Sequence, residues 1–399
     1  MPKNLINPPR RLLLGPGPST PDPRVLHAMA APLVGHLDPF FIETMTQVMD
    51  GLRRLWQTAN HHTIPMSGTG TAGLEALMLN LVEPGDEVVV GVIGYFGERL
   101  AELARRAGAT VRTIEAPYGE ILDPADIARA LETKPAKLVA VVHAETSTGA
   151  CQPLEPIGRI VRERGGLLLA DCVTSLGGMS VAVDDWLVDA VGSCSQKCIG
   201  APPGLGPVTA GPRAMEAMRA RRAKPATWYF DFELLFRYWG DERRETGDGR
   251  SRAFHHTAPV ANIYGFKVAL DLIHAEGMAA RFARHRAAHE RLVAGLEAMG
   301  LTLFTPASHR LPMLNVVNIP DGVDDMAVRR ALLEDGIEIS GGFGPLAGKT
   351  WRIGLMGYNA TPPVVDTLLD ALSRQMRPVT RSAGRSAAGP GAEAGRPAG

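Results

Sequence analysis

From Glu87 to Ala210 short uninterrupted apolar runs alternate with amphipathic stretches. Leu167-Leu-Leu-Ala-Asp171 is typical: too short for a helix, apolar on both sides of the chain, and closed by a carboxylate, as in a buried parallel strand. The pattern predicts strands near Glu87–Ile93, Thr110–Glu115, Lys137–His143, Leu167–Asp171, Ala190–Ser193 and Pro207–Ala210, with helices between most of them. Such alternation implies an α/β fold with a mostly parallel sheet. After a long helical stretch from Val260 to Glu276 the rhythm changes to helix, strand Leu301–Phe304, strand Leu314–Ile319, helix, strand Ile337–Ser340, strand Trp351–Leu355 and a closing helix. That is the pattern of a smaller α+β domain. The expected division is an arm over residues 1–23, a large domain over 24–275 and a small domain over 276–380. Residues 381–399, rich in Gly, Ala, Pro, Arg and Ser without periodicity, are expected to form a disordered tail.

Candidate chemistry gathers at the ends of these strands. Lys197 lies between an apolar strand and the Pro/Gly loop Gly200-Ala-Pro-Pro-Gly204, and Asp171 closes the strand before it. An amine that holds an aldehyde and a carboxylate that keeps a ring nitrogen protonated are the pair that pyridoxal phosphate requires. Pro65-Met-Ser-Gly-Thr-Gly-Thr-Ala-Gly73 precedes Leu74, Leu77, Met78 and Leu81 at i, i+3, i+4 and i+7, so a glycine-rich loop opens an amphipathic helix. Backbone N–H groups of Ser67, Gly68 and Thr69 and the positive end of that helix are expected to cradle a phosphate.

Six motifs, in order, carry a resemblance: Ser67-Gly-Thr-Gly, His143-Ala-Glu-Thr-Ser-Thr-Gly149, Asp171-Cys-Val-Thr-Ser-Leu-Gly-Gly178, Ser195-Gln-Lys-Cys-Ile-Gly-Ala-Pro-Pro-Gly204, His255-His-Thr-Ala-Pro-Val260 and Trp351-Arg-Ile-Gly-Leu-Met-Gly357. From Leu12 to Met376 the chain resembles the class V, fold-type I pyridoxal-phosphate aminotransferases, most closely the alanine–glyoxylate and serine–pyruvate branch. The resemblance implies a seven-stranded, mostly parallel sheet in the large domain and a homodimer with shared active sites. It also implies roles: Lys197 for the Schiff base, Asp171 at the ring nitrogen, Phe96 stacking on the ring and Val173 packing beneath it. Thr146 matches a contact of the ring hydroxyl, and Gln196 a phosphate contact. Thr257 matches a residue reaching the phosphate of the neighbouring subunit. Arg352 matches the guanidinium that grips the substrate carboxylate in two parallel bonds. One departure stands out, because Phe254 occupies the place of a tyrosine that donates a second cross-subunit bond; Tyr229 is a candidate replacement. The stretch Trp239 to Arg252 is longer and more charged than the resemblance leads one to expect.

Bulk properties narrow the partners. The 42 basic and 42 acidic residues cancel, so no global field favours nucleic acid or membrane binding. Cys151, Cys172, Cys194 and Cys198 fit buried, reduced thiols of a cytoplasmic protein, and Cys194-x3-Cys198 lacks the second ligand pair of a zinc site, so no metal is expected. Nothing after Cys198 can serve as the mobile cysteine of a desulfurase. Residues 1–23 do not read as a signal peptide and the carboxyl end carries no peroxisomal address.

Substrate choice rests on a few positions. Phe343 stands where pyridoxamine–pyruvate relatives place a second arginine, and Gly68 where they carry a carboxylate. Small neighbours in the arm, Gly15-Pro-Gly-Pro18 and Gly35-His36, favour alanine or serine as donor, with glyoxylate or pyruvate accepting. Ureidoglycine–glyoxylate transamination and a specialised biosynthetic substrate are the alternatives.

Overall fold

The computed structural model describes residues 6–240 and 252–386. Its centre is a seven-stranded sheet in the order His62–Ser67, Leu205–Ala210, Ala190–Gly192, Leu167–Asp171, Leu138–Val142, Glu87–Val92 and Thr110–Glu115. Only Leu205–Ala210 runs antiparallel to its neighbours, so the carboxyl ends of the other six lie on one edge. That edge is where open α/β sheets bind ligands. Register brings Asp171 opposite Val142 on one side and Gly192 on the other.

The strand His62–Ser67 was not among those expected, since Pro65 to Gly73 was read as a glycine-rich loop. It lies at the sheet's edge, where a missing N–H costs least. Helices Gly70–Leu81 and Tyr95–Arg106 start at the ligand-binding edge, after strands His62–Ser67 and Glu87–Val92 respectively. Residues from Val25 to Ile273 supply one core; Leu14 and residues from Ala288 to Met376 supply another. In the second, Leu314–Asn318, Thr350–Gly354 and Ser340–Gly341 form an antiparallel sheet.

Two expectations are corrected. Leu301–Phe304 forms no strand: Leu301 and Leu303 are buried in alternation, but only Leu303 bridges to Val317 before the chain turns away. The closing helix runs Pro362–Ser386, into the stretch expected to be an irregular tail; residues 387–399 lie outside the described residues. So does most of the long charged stretch between Trp239 and Arg252. Among the described residues no helix is long and apolar enough to cross a membrane.

Candidate active site

Lys197 sits on a loop that the backbone holds rigidly. Ser195 N–H donates to Leu205 O at 3.1 Å, its hydroxyl to Pro202 O at 2.7 Å, and Ala201 N–H returns to Ser195 O at 3.0 Å. The amino-terminal arm crosses over this loop. Ser19 donates its N–H to Gln196 O at 2.8 Å and its hydroxyl to Lys197 O at 2.7 Å, while the Lys197 ammonium donates to the carbonyl of Pro16. Gly17, at φ +122°, lies so close that a Cβ there would come within 2.7 Å of Lys197 Cδ. Burial lowers the pKa of Lys197. The uncharged amine is therefore more accessible than in an ordinary lysine.

Asp171 is buried at the end of its strand, its Oδ1 accepting the Val173 N–H at 2.9 Å. Burial raises its pKa, opposed first by Arg99, whose Nη2 is 3.6 Å from Oδ2. A cavity of about 250 Å³ lies between these groups. Lys197, Asp171, Phe96, Val173, Thr146, Gln196 and Thr69 all line it, together with Gly17 and Arg99. Phe96 is fixed from behind by Glu145, a fully buried carboxylate that accepts the N–H groups of Phe96 (3.1 Å), Gly97 (3.3 Å) and Ser147 (3.0 Å) and the Ser147 hydroxyl (2.6 Å).

The donors expected to cradle an anion are not all free. Gly68 N–H is spent on Gly204 O at 3.0 Å, and Ser67 belongs to the edge strand, its hydroxyl 2.7 Å from His256 Nε2. Gly68 instead supplies φ +143°, which turns the chain into the helix. The free donors are the first N–H groups of that helix, from Thr69 through Gly70 and Thr71, and no side chain caps them. Gly70 permits the approach, since a Cβ would meet Cys194 Cβ at 2.8 Å and Ser193 O at 3.0 Å. Gln196 lines the same cavity; its Oε1 is buried and unpartnered and can only accept, so the side-chain NH2 is the group a phosphate would take.

Arg352 is anchored rather than satisfied. Its Nε donates to Gly341 O at 2.9 Å and its guanidinium lies 5.2 Å over the Phe343 ring, leaving the outer nitrogens for a carboxylate. It is near enough to contribute to the lowered pKa of Lys197. Tyr95 meets Phe343 edge-on at 4.3 Å, and Phe96 stacks along it at 6.3 Å.

Gly35, Thr257 and Phe254 are not brought to the cavity within this chain; all three are exposed. Tyr229 does reach the cradle's edge, its hydroxyl donating to Ser67 O at 3.4 Å. Arg99, Glu145, Ser19 and Gly70 had escaped the sequence reading. Arg99 carried a usable signal, since it follows Phe96 by one helical turn and shares its face.

An amine, a buried carboxylate, an aromatic and an aliphatic wall, a helix amino terminus and an unpartnered amide together fit a flat, phosphorylated aldehyde whose ring carries a basic nitrogen. The comparisons agree with that donor set. The family model for aminotransferase class-V matches residues 25–364. The (S)-ureidoglycine–glyoxylate transaminase of Bacillus subtilis is 40% identical over 370 residues, covering 88% of this chain and 87% of that one. The alanine–glyoxylate aminotransferase of Drosophila melanogaster is 38% identical over 372 residues, covering 92% and 93%. The crystal structure of the alanine–glyoxylate aminotransferase from Nostoc sp. superposes with a TM-score of 0.90 at 50% identity, covering 94% of this chain and 98% of that one. The chain therefore belongs to the class V aminotransferases and is a pyridoxal-phosphate-dependent transaminase.

Proposed function

We propose that the protein moves an amino group from a small donor, alanine or serine, to a small 2-oxo acid, glyoxylate or pyruvate, in the cavity lined by Lys197 and Asp171, with Arg352 outside that lining but near enough to act on Lys197. Pyridoxal phosphate, when bound, supplies an electron sink that makes the donor's Cα–H acidic. In this reading Lys197 holds the cofactor by its amine and, once released, takes the α-proton on Nζ, a role for which burial has already lowered its pKa. Asp171 holds a proton at the ring nitrogen. Phe96 and Val173 clamp the ring, the N–H groups from Thr69 to Thr71 and the Gln196 amide take the phosphate, and Thr146 takes the ring hydroxyl. Arg352 grips the α-carboxylate and so decides which bond on Cα faces Lys197. The two half-reactions use these residues in opposite order, which predicts ping-pong kinetics.

The observation that carries the small-donor reading is the arm. Gly17 lies against the Lys197 side chain, and Phe343, edge-packed by Tyr95, fills the space beside Arg352. Among the described residues, Arg99 faces Asp171 and Arg329 is bound to Asp325 through two bonds at 2.7 and 2.8 Å, so neither of these guanidinium groups is free for a second substrate carboxylate. The active unit is proposed to be a homodimer. Thr257 shares its exposed face with Phe254 and Trp228, apolar side chains that a second copy would cover while Thr257 reached its cradle.

The test is a half-reaction screen. The loaded enzyme is mixed with single amino acids, or with ureidoglycine, and the decay of the cofactor's visible band is followed. Alanine or serine is expected to react fastest, and Arg352→Ala to weaken its binding roughly thirty-fold or more with little loss of cofactor, as expected when a buried charge pair worth about 2–5 kcal/mol loses one partner. Faster reaction with glutamate or aspartate would refute the small-donor reading. Faster reaction with ureidoglycine would favour the activity named for the Bacillus subtilis relative.

A further inference from the structure

Asp171 has a second cationic neighbour besides Lys197. Arg99 is held in place by three contacts: its Nη1 donates to Thr71 Oγ1 at 3.1 Å, its guanidinium carbon lies 4.7 Å over the Phe96 ring, and its Nη2 is 3.6 Å from Asp171 Oδ2. These link the cradle helix, the stacking wall and the buried carboxylate through one planar cation. We propose that Arg99 is a positioning residue that keeps Asp171 in its carboxylate form, so that the proton shared with the cofactor's ring nitrogen stays on the nitrogen.

The inference rests on the role proposed for Asp171. Its physical basis is a competition. A buried carboxylate facing a pyridine nitrogen can share one proton in two ways, carboxylate with pyridinium or carboxylic acid with neutral pyridine, and burial alone favours the uncharged pair. The groups around Asp171 do not all help the charged one. Glu145 is a second buried carboxyl whose own pKa is pushed up by burial and by the Asp171 charge, Cys172 and Cys194 are thiols whose pKa values burial pushes up, to about 11 for Cys194, and burial lowers the pKa of Lys197. Arg99, the Val173 N–H and Lys197 favour the carboxylate, and Arg99 is the largest of these influences. Because Arg99 approaches Oδ2 directly, it stabilises the carboxylate more than it repels a proton lying beyond it. Cation–π contact with Phe96 and the Thr71 hydroxyl fix that approach without neutralising the charge.

Reconstitution with pyridoxal phosphate labelled with 15N in the ring reports the proton directly. The 15N shift is measured for the wild type and for Arg99→Gln, Arg99→Met and Arg99→Lys, each with its cofactor affinity. The wild type and Arg99→Lys are expected to show a protonated ring nitrogen; Arg99→Gln and Arg99→Met are expected to move the signal most of the way to the unprotonated range and to raise the pH below which kcat/KM falls. A protonated wild-type signal that neither uncharged variant moves overturns the proposal for Arg99 and leaves Asp171's role intact. An unprotonated wild-type signal overturns both.

Discussion

Substituting Lys197 with alanine is expected to lower transamination by about 10⁴-fold or more, the upper end of what a positioned acid–base group contributes. In the proposed mechanism two functions would be lost at one atom, since Nζ would both anchor the cofactor and move the α-proton. The fold should survive. The loop is held by Ser195, Ser19 and the backbone of Gln196, none of which uses the Lys197 side chain. Circular dichroism and the denaturation midpoint should therefore stay near wild type while single-turnover rates collapse. A small primary amine added to the variant should restore part of the rate, because the Lys197 side chain would leave a space beside Gly17 and the Pro16 carbonyl. A rate within ten-fold of wild type without added amine would remove Lys197 from the mechanism.

Asp171→Asn is expected to retain cofactor and to slow α-proton removal by about 10²–10³-fold, the range seen when one electrostatic partner of a developing charge is removed. The substitution keeps the shape, and the asparagine oxygen can still accept the Val173 N–H at the position Oδ1 holds now. What it removes is the charge proposed to hold a proton on the ring nitrogen. The deuterium isotope effect on the α-position should rise as proton removal becomes the slow step. Unchanged turnover with bound cofactor would make Asp171 a structural residue.

The pair Asp171 and Lys197 was legible in the sequence because Asp171 closes an apolar run too short for anything but a strand and Lys197 lies in the loop after the next one, and strand ends in such a sheet meet at one edge. Phe96, Val173, Thr146 and Gln196 line the cavity that those ends form. What the sequence hid was the direction of individual groups. Gly68 looked like a phosphate donor, yet its N–H turns to Gly204 because the antiparallel pairing of Ser67 with Leu205 carries the ladder one residue further. Arg99 read as one charge among several on an amphipathic helix whose polar face is ordinarily solvated. Its approach to Asp171 depends on the close packing of that helix beside the sheet, where Gly97 would place a Cβ 2.8 Å from Val92 Cα. Glu145 gave no pattern at all; its four bonds come from residues 96, 97 and 147, brought together only when the turns after two strands meet.

Borohydride reduction of the cofactor-loaded protein, followed by proteolysis and mass mapping, tests the central claim most directly. A reduced Schiff base carries the cofactor's mass on the lysine that held it. The account predicts a single adduct on the peptide containing Lys197, and none when the donor amino acid is added in excess before the reductant. An adduct on any other lysine, or Lys197 left unmodified in protein that retains its cofactor, would contradict it.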